Sequence, residues 1–415
     1  EANILAMKTG YNYGETTEIF TTSYSVDKAE LPKGKYRNIT GNVAVAYGLV
    51  AAAKKAGKEL FLGSYPITPA SEILHTLSGL RNYNVKTFQA EDEIAGISAA
   101  IGAAYAGALA CTTTSGPGMA LKTEAIGLAI ITELPLVIVN VQRGGPSTGM
   151  PTKMEQSDLL QAVHGRNSDA TIPVIAPLDP ADCFDCAFEA ARIALKYMTP
   201  VILLSDGYLG QGSGPWQIPD PKSLPEIKVS HPDSSARTEA GFMPYSRDAN
   251  EARPWALPGT PGLEHRIGGL EKENITGMVS QDAENHQIMT DIRARKVQNI
   301  ANEIPPSEIF GESKGKVLVI GWGSTHGSIH VAVARAQKNG QSVSQLHLRW
   351  VSPFPPDLKA ICDNFDELLI PEVNMGQLAL LLKAELIRPI HQLNKVRGEP
   401  FRASEIEEKI NEILG

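Results

Sequence analysis

Cysteine is scarce in this sequence, with four in 415 residues. Two of them form a Cys-X-X-Cys pair, Cys183 and Cys186, inside a predicted helix, and no second pair follows. A disulfide-rich secreted protein would carry more cysteines, and a zinc or iron–sulfur site needs more ligands than this pair. We therefore predict a cytoplasmic protein with no metal ligands of its own.

Positive charge and long apolar runs are also lacking. The formal net charge of −8 argues against a surface that binds nucleic acid. Apolar runs such as Leu134–Val141 and Val201–Leu204 have the length of a strand, so we predict no membrane span. No Gly-X-Gly-X-X-Gly motif follows a strand and no Walker loop is present, which argues against the commonest nucleotide sites.

Short apolar strands alternate with helices in two parts of the chain, 38–210 and 315–415. This alternation predicts two α/β domains, the first with a parallel sheet covered by helices on both faces. Residues 211–314 are rich in Pro and Gly and predict an extended connector that wraps a surface, with one long helix at about 282–304. Residues 1–37 are polar and show no sustained period, which predicts a further connector.

The segment 85–109 has an unusual composition. A predicted strand meets three acids, Glu91, Asp92 and Glu93, and a helix made mostly of Ala, Gly, Ser and Ile follows. Acids in a first helical turn complement the helix dipole, which would explain them without any function. However, a helix with so little side-chain bulk indicates that another backbone or a cofactor approaches closely. One of the acids is then a candidate carboxylate of shifted pKa.

Four predicted strand ends lead into loops of unusual composition: YPITPAS at 65–71, the acidic turn at 91–93, TSGPGM at 114–119 and QRGGPSTGMPTK at 142–153. Thr68 is predicted to cap a helix that starts at about Pro69. Ligands of parallel α/β sheets bind at the carboxyl ends of the strands, so we expect the four loops to converge there. Alone, Ser115-Gly-Pro-Gly is equally compatible with a simple tight turn.

Together these motifs resemble the alpha subunits of 2-oxoacid:ferredoxin oxidoreductases, in particular those of the 2-oxoglutarate enzymes. The segment PEVNMGQL at 371–378 resembles the transketolase C-terminal-like domain of the same subunit. The resemblance covers about 38–415. The preceding residues resemble the tail of a gamma-type domain that is fused ahead of the alpha part in longer members, and that domain is missing here. The resemblance implies a pyrimidine-type thiamine diphosphate-binding domain followed by the transketolase-like domain.

The family decarboxylates a 2-oxoacid on thiamine diphosphate, passes electrons through iron–sulfur clusters to ferredoxin, and acylates coenzyme A. The resemblance implies that this chain binds the pyrimidine end. A beta subunit would hold the diphosphate, Mg²⁺ and a [4Fe–4S] cluster, in an (alpha–beta)2 assembly. The chain agrees with this division, because it lacks the Gly-Asp-Gly and Asn-Asn signature of a magnesium–diphosphate site. The implied reaction is the reversible conversion of 2-oxoglutarate to succinyl-CoA in central carbon metabolism, including the reductive TCA cycle. Pyruvate or branched 2-oxoacids remain alternatives, as does a non-catalytic scaffold.

The resemblance also assigns roles to residues. The family glutamate that contacts the pyrimidine ring aligns with Glu93, with Glu91 as the alternative. Thr68 resembles the threonine at the keto-acid end of the substrate, and Arg143 the arginine that holds its carboxylate. By charge, Lys153 with Thr152 would bind the distal carboxylate of 2-oxoglutarate, although a solvated lysine is equally compatible with the sequence. Further cofactor contacts are implied for Pro66, Ile67, Ser115 and Gly116.

Two polar residues of the PEVNMGQL segment have two possible roles. Asn374 and Gln377 face either coenzyme A or the boundary between the domains. Four of the histidines are interpreted as structural rather than catalytic: His164, His265, His326 and His391.

Overall fold

The computed structural model describes residues 1–18, 22 and 24–415. These residues divide into two units, Glu1–Lys35 and Tyr36–Gly415. The first unit contains one helix, α1 (Ala2–Thr17), with no buried residue. Sequence analysis did not predict this helix, because the segment has no amphipathic period and two internal glycines lower its helix propensity.

The second unit begins with an α/β region. Its elements, in chain order, are β1 (Tyr36–Thr40), α2 (Gly41–Lys55), β2 (Leu60–Ser64), α3 (Ser71–Ser78), β3 (Val85–Gln89), α4 (Glu93–Tyr105), β4 (Leu109–Thr114), α5 (Gly116–Leu121), α6 (Thr123–Ile131), β5 (Leu136–Gln142), α7 (Leu159–His164), β6 (Val174–Ile175), α8 (Asp182–Tyr197), β7 (Pro200–Asp206), α9 (Gly207–Gln211) and β8 (Ser213–Gln217).

A long helix and a second α/β region follow. Their elements are α10 (Ala283–Asn299), β9 (Ile309–Phe310), β10 (Gly315–Trp322), α11 (His326–Lys338), β11 (Val343–Leu348), β12 (Trp350–Ser352), α12 (Leu358–Cys362), β13 (Phe365–Glu372), α13 (Gln377–Leu386), β14 (His391–Asn394) and α14 (Ala403–Leu414).

The first sheet has seven strands in the order β12-β6-β7-β5-β4-β2-β3. All neighbours pair in parallel except β12, which is antiparallel to β6. Every residue of β5 and β7 is buried, as expected for a parallel sheet with helices on both faces. The parallel α/β fold predicted from the sequence is therefore confirmed.

The second sheet has the order β14-β13-β10-β11-β9, with β9 as its antiparallel edge strand. One hydrophobic cluster joins the two sheets, since Ile138 and Leu204 of the first share it with Leu318 and Ile320 of the second. Strand β12 comes from the second α/β region but completes the edge of the first sheet. The two regions therefore pack as one body.

The segment between β8 and α10 is mostly irregular and lies on the first α/β region. The Trp255 indole donates a hydrogen bond to the Ala104 carbonyl (3.1 Å), so this segment packs on α4. Glu133 is buried and accepts hydrogen bonds from Arg247 and from Lys296 of α10. Burial alone would raise the pKa of Glu133, but the two cations lower it below its ordinary value. These contacts fix the segment and α10 to the first α/β region.

Among the described residues, no helix combines the length and apolarity needed to cross a membrane. The four cysteines are buried and not disulfide-bonded.

Candidate functional site

The four predicted loops lie at one edge of the first sheet. Strands β3, β2, β4 and β5 are consecutive neighbours and run parallel, so the loops that follow their carboxyl ends lie side by side. The convergence predicted from the sequence is therefore confirmed. The order along the edge is the acidic turn, YPITPAS, TSGPGM and QRGGPSTGMPTK.

The three acids of the turn occupy different environments. Glu91 is exposed. Asp92 caps α4, because its Oδ1 accepts the backbone N–H of Ala95 at 2.6 Å. Glu93, the first residue of α4, is 8% exposed. Only the third acid is therefore both buried and free of a capping role.

The small residues of α4 allow its backbone to touch a strand. A Cβ atom added to Gly63 of β2 would lie 2.3 Å from the Gly96 carbonyl oxygen of α4. A Cβ added to Gly96 would lie 3.2 Å from the Ser64 Cα. The helix thus packs directly on β2, which agrees with the close approach predicted from its composition.

The Glu93 side chain lies in a narrow space between α4 and α5. A Cβ added to Gly118 would lie 2.6 Å from the Glu93 Cγ and 3.0 Å from its Oε1. In the described part of the chain, no group donates a hydrogen bond to the Glu93 carboxylate, and this carboxylate is therefore available to a bound donor. The fully buried Lys122 donates instead to the Glu93 backbone carbonyl, at 2.7 Å.

Lys122 is a buried amine next to this carboxylate. Burial lowers its pKa to about 8, although the charges of Glu93 and Asp92 act in the opposite direction. Sequence analysis did not single out Lys122. Its signal was weak, because one lysine inside an otherwise apolar helical segment is usually a solvated surface residue.

Two further predicted contacts, Ser115 and Gly116, lie where β4 passes into α5, with Ser115 at the N-cap of the helix and Gly116 as its first residue. The Ser115 hydroxyl is buried and has no hydrogen-bond partner among the described residues. Gly116 faces Asp158, since a Cβ added there would lie 3.2 Å from Asp158 Oδ2. Burial raises the pKa of Asp158, while a hydrogen bond from Asn140 (2.9 Å) opposes the shift.

The structure brings Thr68 and Arg143 together. Arg143 is 7% exposed, and its Nη1 donates to the Thr68 carbonyl at 2.7 Å. The Arg143 Nε has no partner in the described residues. The Thr68 side chain is exposed, and the preceding Pro66 and Ile67 are half-buried.

The predicted capping role of Thr68 is wrong. Helix α3 begins at Ser71, and the residue before it, Ala70, makes no side-chain cap. The reason is a turn, in which the Ile67 carbonyl accepts the N–H groups of Ala70 and Ser71 (2.7 and 3.1 Å). The Thr68 hydroxyl therefore remains free for another partner.

Lys153 and Thr152 lie at the base of a hairpin loop. The Gly144 N–H donates to the Lys153 carbonyl (2.9 Å), and the Met150 N–H donates to the Gly144 carbonyl (2.8 Å). Both Thr152 and Lys153 are exposed, and no ion pair of Lys153 occurs in the described residues. A Cβ added to Gly398 would lie 2.7 Å from the Lys153 Cβ, so Lys153 adjoins the second α/β region.

The boundary between the two α/β regions is polar, and two residues with an open role lie there. Asn374 donates to the Gln156 carbonyl (2.8 Å), and Gln377 donates to the Ser157 carbonyl (2.7 Å). The buried Gln156 side chain donates to the Trp322 carbonyl (2.7 Å). The side chains of Asn374 and Gln377 therefore lie at the boundary between the domains, which is one of the two locations predicted for them.

Two models of known families match the chain. The model for pyruvate flavodoxin/ferredoxin oxidoreductase, thiamine diphosphate-binding, matches residues 51–285. The model for pyruvate:ferredoxin oxidoreductase core domain II matches residues 315–406. The 2-oxoglutarate oxidoreductase subunit KorA of Mycobacterium tuberculosis is 52% identical over 98% of this chain. The chain spans only 62% of that relative.

Solved structures show the same relationship. The 2-oxoglutarate:ferredoxin oxidoreductase from Magnetococcus marinus, solved with 2-oxoglutarate, coenzyme A and succinyl-CoA bound, has a TM-score of 0.89 and 33% identity. The match covers 100% of this chain and 71% of that one. A split gene transketolase, as an inactive beta4 tetramer, matches 91% of this chain and 98% of its own with a TM-score of 0.53. At 12% identity this second match shows a common fold alone.

The residues at the sheet edge fit one end of thiamine diphosphate. Among the described residues, the buried Glu93 carboxylate has no hydrogen-bond donor and the buried Ser115 hydroxyl has no partner, so a planar ring with polar nitrogens would satisfy both. The four loops that form this edge lie within the matched thiamine diphosphate-binding region. The chain therefore belongs to the pyruvate flavodoxin/ferredoxin oxidoreductase family.

Proposed function

We propose that this chain is the alpha subunit of a thiamine-dependent 2-oxoacid:ferredoxin oxidoreductase. Its 2-oxoacid is 2-oxoglutarate, which reacts with coenzyme A to give succinyl-CoA and carbon dioxide while two ferredoxin molecules each accept one electron. The reaction is reversible. The observation that carries the proposal is the buried Glu93 carboxylate at the carboxyl edge of the sheet, to which no group in the described part of the chain donates a hydrogen bond. The names of the tuberculosis and Magnetococcus relatives support the choice of 2-oxoglutarate.

Glu93 is the catalytic carboxylate of this proposal. Thiamine diphosphate supplies the nucleophilic carbon and the electron sink that decarboxylation of a 2-oxoacid requires. With thiamine diphosphate bound, Glu93 would hold a proton at the N1′ atom of the pyrimidine ring and so favour the basic form of the ring's amino group. Pro66, Ile67, Ser115 and Gly116 line the ring site. Gly118 leaves the space in which the Glu93 side chain lies.

Arg143 and Thr68 bind the reacting end of the 2-oxoacid. The Thr68 carbonyl fixes one arm of the Arg143 guanidinium, and its Nε remains free to donate to the substrate carboxylate. The exposed Thr68 hydroxyl then points to the keto group. Lys153, with Thr152, binds the distal carboxylate of 2-oxoglutarate from the hairpin loop. Such a cation is needed only for a dicarboxylic substrate.

A beta subunit completes the site. It holds the diphosphate and Mg²⁺ and a [4Fe–4S] cluster that passes electrons to ferredoxin, and two alpha–beta pairs form the assembly. Two observations support this division. Among the described residues, no three His, Cys, Asp or Glu side chains lie close enough together to bind a metal ion. The four cysteines are buried separately apart from the Cys183–Cys186 pair of α8. The enzyme then serves central carbon metabolism in the cytoplasm, including the reductive TCA cycle.

The test is substitution of Glu93 in the complex purified with its co-encoded partner. We expect Glu93→Gln to lower coenzyme A-dependent dye reduction with 2-oxoglutarate about 100-fold or more, because the amide cannot share the proton of N1′. Thiamine diphosphate binding, measured by calorimetry, should change by less than about tenfold.

The matched control is Glu91→Gln, in the exposed acid two residues earlier, which should retain near-normal activity. Full activity of Glu93→Gln, or loss of activity in Glu91→Gln instead, would contradict the assignment. The same assay with pyruvate and 2-oxoisovalerate tests the substrate preference. Faster turnover of either acid than of 2-oxoglutarate would refute the choice of 2-oxoglutarate.

A further inference from the structure

A separate cavity of about 450 Å³ lies at the carboxyl edge of the second sheet. It is next to the ends of two parallel strands, because His347 is near the end of β11 and His326 starts the helix that follows β10. The cavity includes no residue of the four loops at the first sheet. Carboxyl edges of parallel sheets are common ligand sites, and the volume is in the range of small-molecule pockets.

Three histidines form one corner of this cavity. The ring centroids of His326 and His330 are 5.9 Å apart, and those of His326 and His347 are 4.9 Å apart. Both ring nitrogens of His347 are buried and have no partner among the described residues. Gln345 is 2% exposed, and its Oε1 likewise has no hydrogen-bond partner among the described residues. Its Nε2 donates to the His326 carbonyl (3.2 Å). Buried polar groups without partners are costly, so this corner is built to meet a polar group.

The charged surroundings favour an anion. Burial lowers the pKa of His326, with His330 adding to the effect and Asp179 opposing it. Burial also lowers the pKa of His347 well below its ordinary value, and the charges of His326 and Arg349 act in the same direction. Both shifts favour the neutral form of His326 and His347 without a ligand, and an anion that enters would draw protons onto these two rings.

Other charged groups near the corner are already engaged or lie at its rim. The Arg349 guanidinium is held by Asp182, with Nε and Oδ2 at 3.2 Å, and Glu308 also lines the cavity. Because the planar fork of Arg349 is occupied, the remaining donors at this corner are the single ring N–H groups of the histidines, whose rings are inclined to one another at 25° and 86°. Such a set suits a tetrahedral phosphate better than a planar carboxylate.

A metal ion fits this corner less well. In the described residues no group of three or more potential ligands converges on one point. The rings of His326 and His330 stack at 25°, so their nitrogens do not point at a common atom. The nearby Arg349 cation would also repel a metal ion.

The rest of the wall is apolar. Phe310 packs against His330 with the rings tilted at 43° and their centroids 4.1 Å apart, and the other apolar lining residues include Leu178, Trp350, Pro305, Pro306 and Pro355. An occupant therefore needs an organic body as well as a charged group. We propose that this cavity binds a small organic phosphate, with the phosphate at the three histidines and the organic body against Phe310 and the prolines.

Calorimetry with the full chain in its complex tests the proposal, with AMP, inorganic phosphate and adenosine as probes. We expect AMP to bind at least about tenfold more tightly than adenosine, and more tightly at pH 6 than at pH 8 by about tenfold, because binding protonates histidine. Titrations in buffers of different ionisation enthalpy should show proton uptake on AMP binding. Inorganic phosphate should bind more weakly than AMP and compete with it.

Two variants locate the site. His330→Gln, at a half-buried position, and His347→Gln should each weaken AMP binding about tenfold or more. His164→Gln, in an exposed histidine outside the cavity, should leave it unchanged. Failure of AMP and phosphate to bind, equal binding of adenosine, or unchanged binding in His330→Gln would overturn the proposal. None of these readouts depends on oxidoreductase activity, so they are independent of the function proposed above.

Discussion

At the scale of single residues, the site depends on how little space surrounds the Glu93 side chain. Gly118 is close enough that a methyl group there would overlap the Glu93 Cγ and also the Thr114 hydroxyl, 2.2 Å away. The carboxylate is thus held by packing and by the start of α4 rather than by a hydrogen bond. A group fixed in this manner keeps its geometry while its acceptor atoms stay available to a ligand.

Lys122 gives a prediction about stability and pH. Its pKa is lowered to about 8 in the folded chain, against an ordinary value of 10.5, because burial disfavours the charged amine. The unfolded chain therefore binds this proton more tightly, and stability rises as the pH increases from about 8 towards 10.5. Below pH 8, burial of the charged Lys122 amine lowers the free energy of unfolding by about 3 kcal/mol. The hydrogen bond from Lys122 to the Glu93 carbonyl offsets about 1 kcal/mol of this loss.

We expect Lys122→Met to raise the free energy of unfolding by about 2 kcal/mol at pH 7, and by much less near pH 10. Urea unfolding at the two pH values measures both numbers. Lys338→Met, in an exposed lysine of α11, is the control and should show no such pH dependence. A gain that is equal at both pH values would refute the explanation by burial.

Lys153 gives a prediction that distinguishes 2-oxoglutarate from 2-oxoacids with a single carboxylate. If it binds the distal carboxylate, Lys153→Ala should raise the KM for 2-oxoglutarate about tenfold or more, because a charge-assisted contact is lost. Pyruvate has no distal carboxylate, so its KM should stay within about twofold. Steady-state kinetics with both acids measures the difference. Equal effects on the two substrates would show that the exposed lysine is only a solvated surface residue.

At the scale of elements, the strands and the small-residue helix could be predicted because their signals are local. The apolar runs of β4, β5 and β7 read directly as buried strands. The composition of α4 indicated close backbone approach, and the contact between Gly63 and Gly96 is such an approach. The four loops could be placed together only because the strands are parallel, which is itself a consequence of the alternation of strands and helices.

Other elements could not be predicted, for reasons that lie outside local sequence. The start of α3 was misplaced because backbone hydrogen bonds to Ile67 form a turn that no side chain signals. Strand β12 was not assigned to the first sheet because its partner, β6, lies about half a chain earlier. Of the three cavity histidines only His326 was singled out from the sequence, as a structural residue, and its proximity to His330 and His347 could not be predicted because it depends on the packing of α11 on β11.

Helix α4 gives a prediction with an internal control. Gly96 meets the Ser64 backbone, which cannot move away cheaply, so Gly96→Ala should lower the free energy of unfolding by about 1–3 kcal/mol. Gly102 on the same helix has no atom within 4 Å of an added Cβ. Gly102→Ala should therefore stabilise the purified chain by about 0.5–1 kcal/mol, the ordinary helix propensity gain. Urea unfolding measures the free energy of unfolding of both variants. A change of the same sign in both would contradict the packing of α4 on β2.

At the scale of the whole molecule, the two α/β regions share one core and one polar boundary. The buried Gln156 joins Trp322, Val373 and Asn374, and β12 crosses from the second region to the first sheet. The hairpin loop that carries Lys153 rests on Gly398. The second region thus contacts the hairpin loop of the proposed site.

The division of the cofactor between two polypeptides is testable on this chain alone. In the proposed function Glu93 and Ser115 contact the pyrimidine end, and the described residues contain no group of three or more His, Cys, Asp or Glu side chains that could hold a metal ion. Thiamine diphosphate owes much of its affinity to its charged end, so the isolated chain should bind it at least about 100-fold more weakly than the alpha–beta complex does. Added Mg²⁺ should strengthen binding to the complex but not to the isolated chain. Calorimetry with and without Mg²⁺ measures both effects, and tight Mg²⁺-dependent binding by this chain alone would show that its partner is not needed for the cofactor.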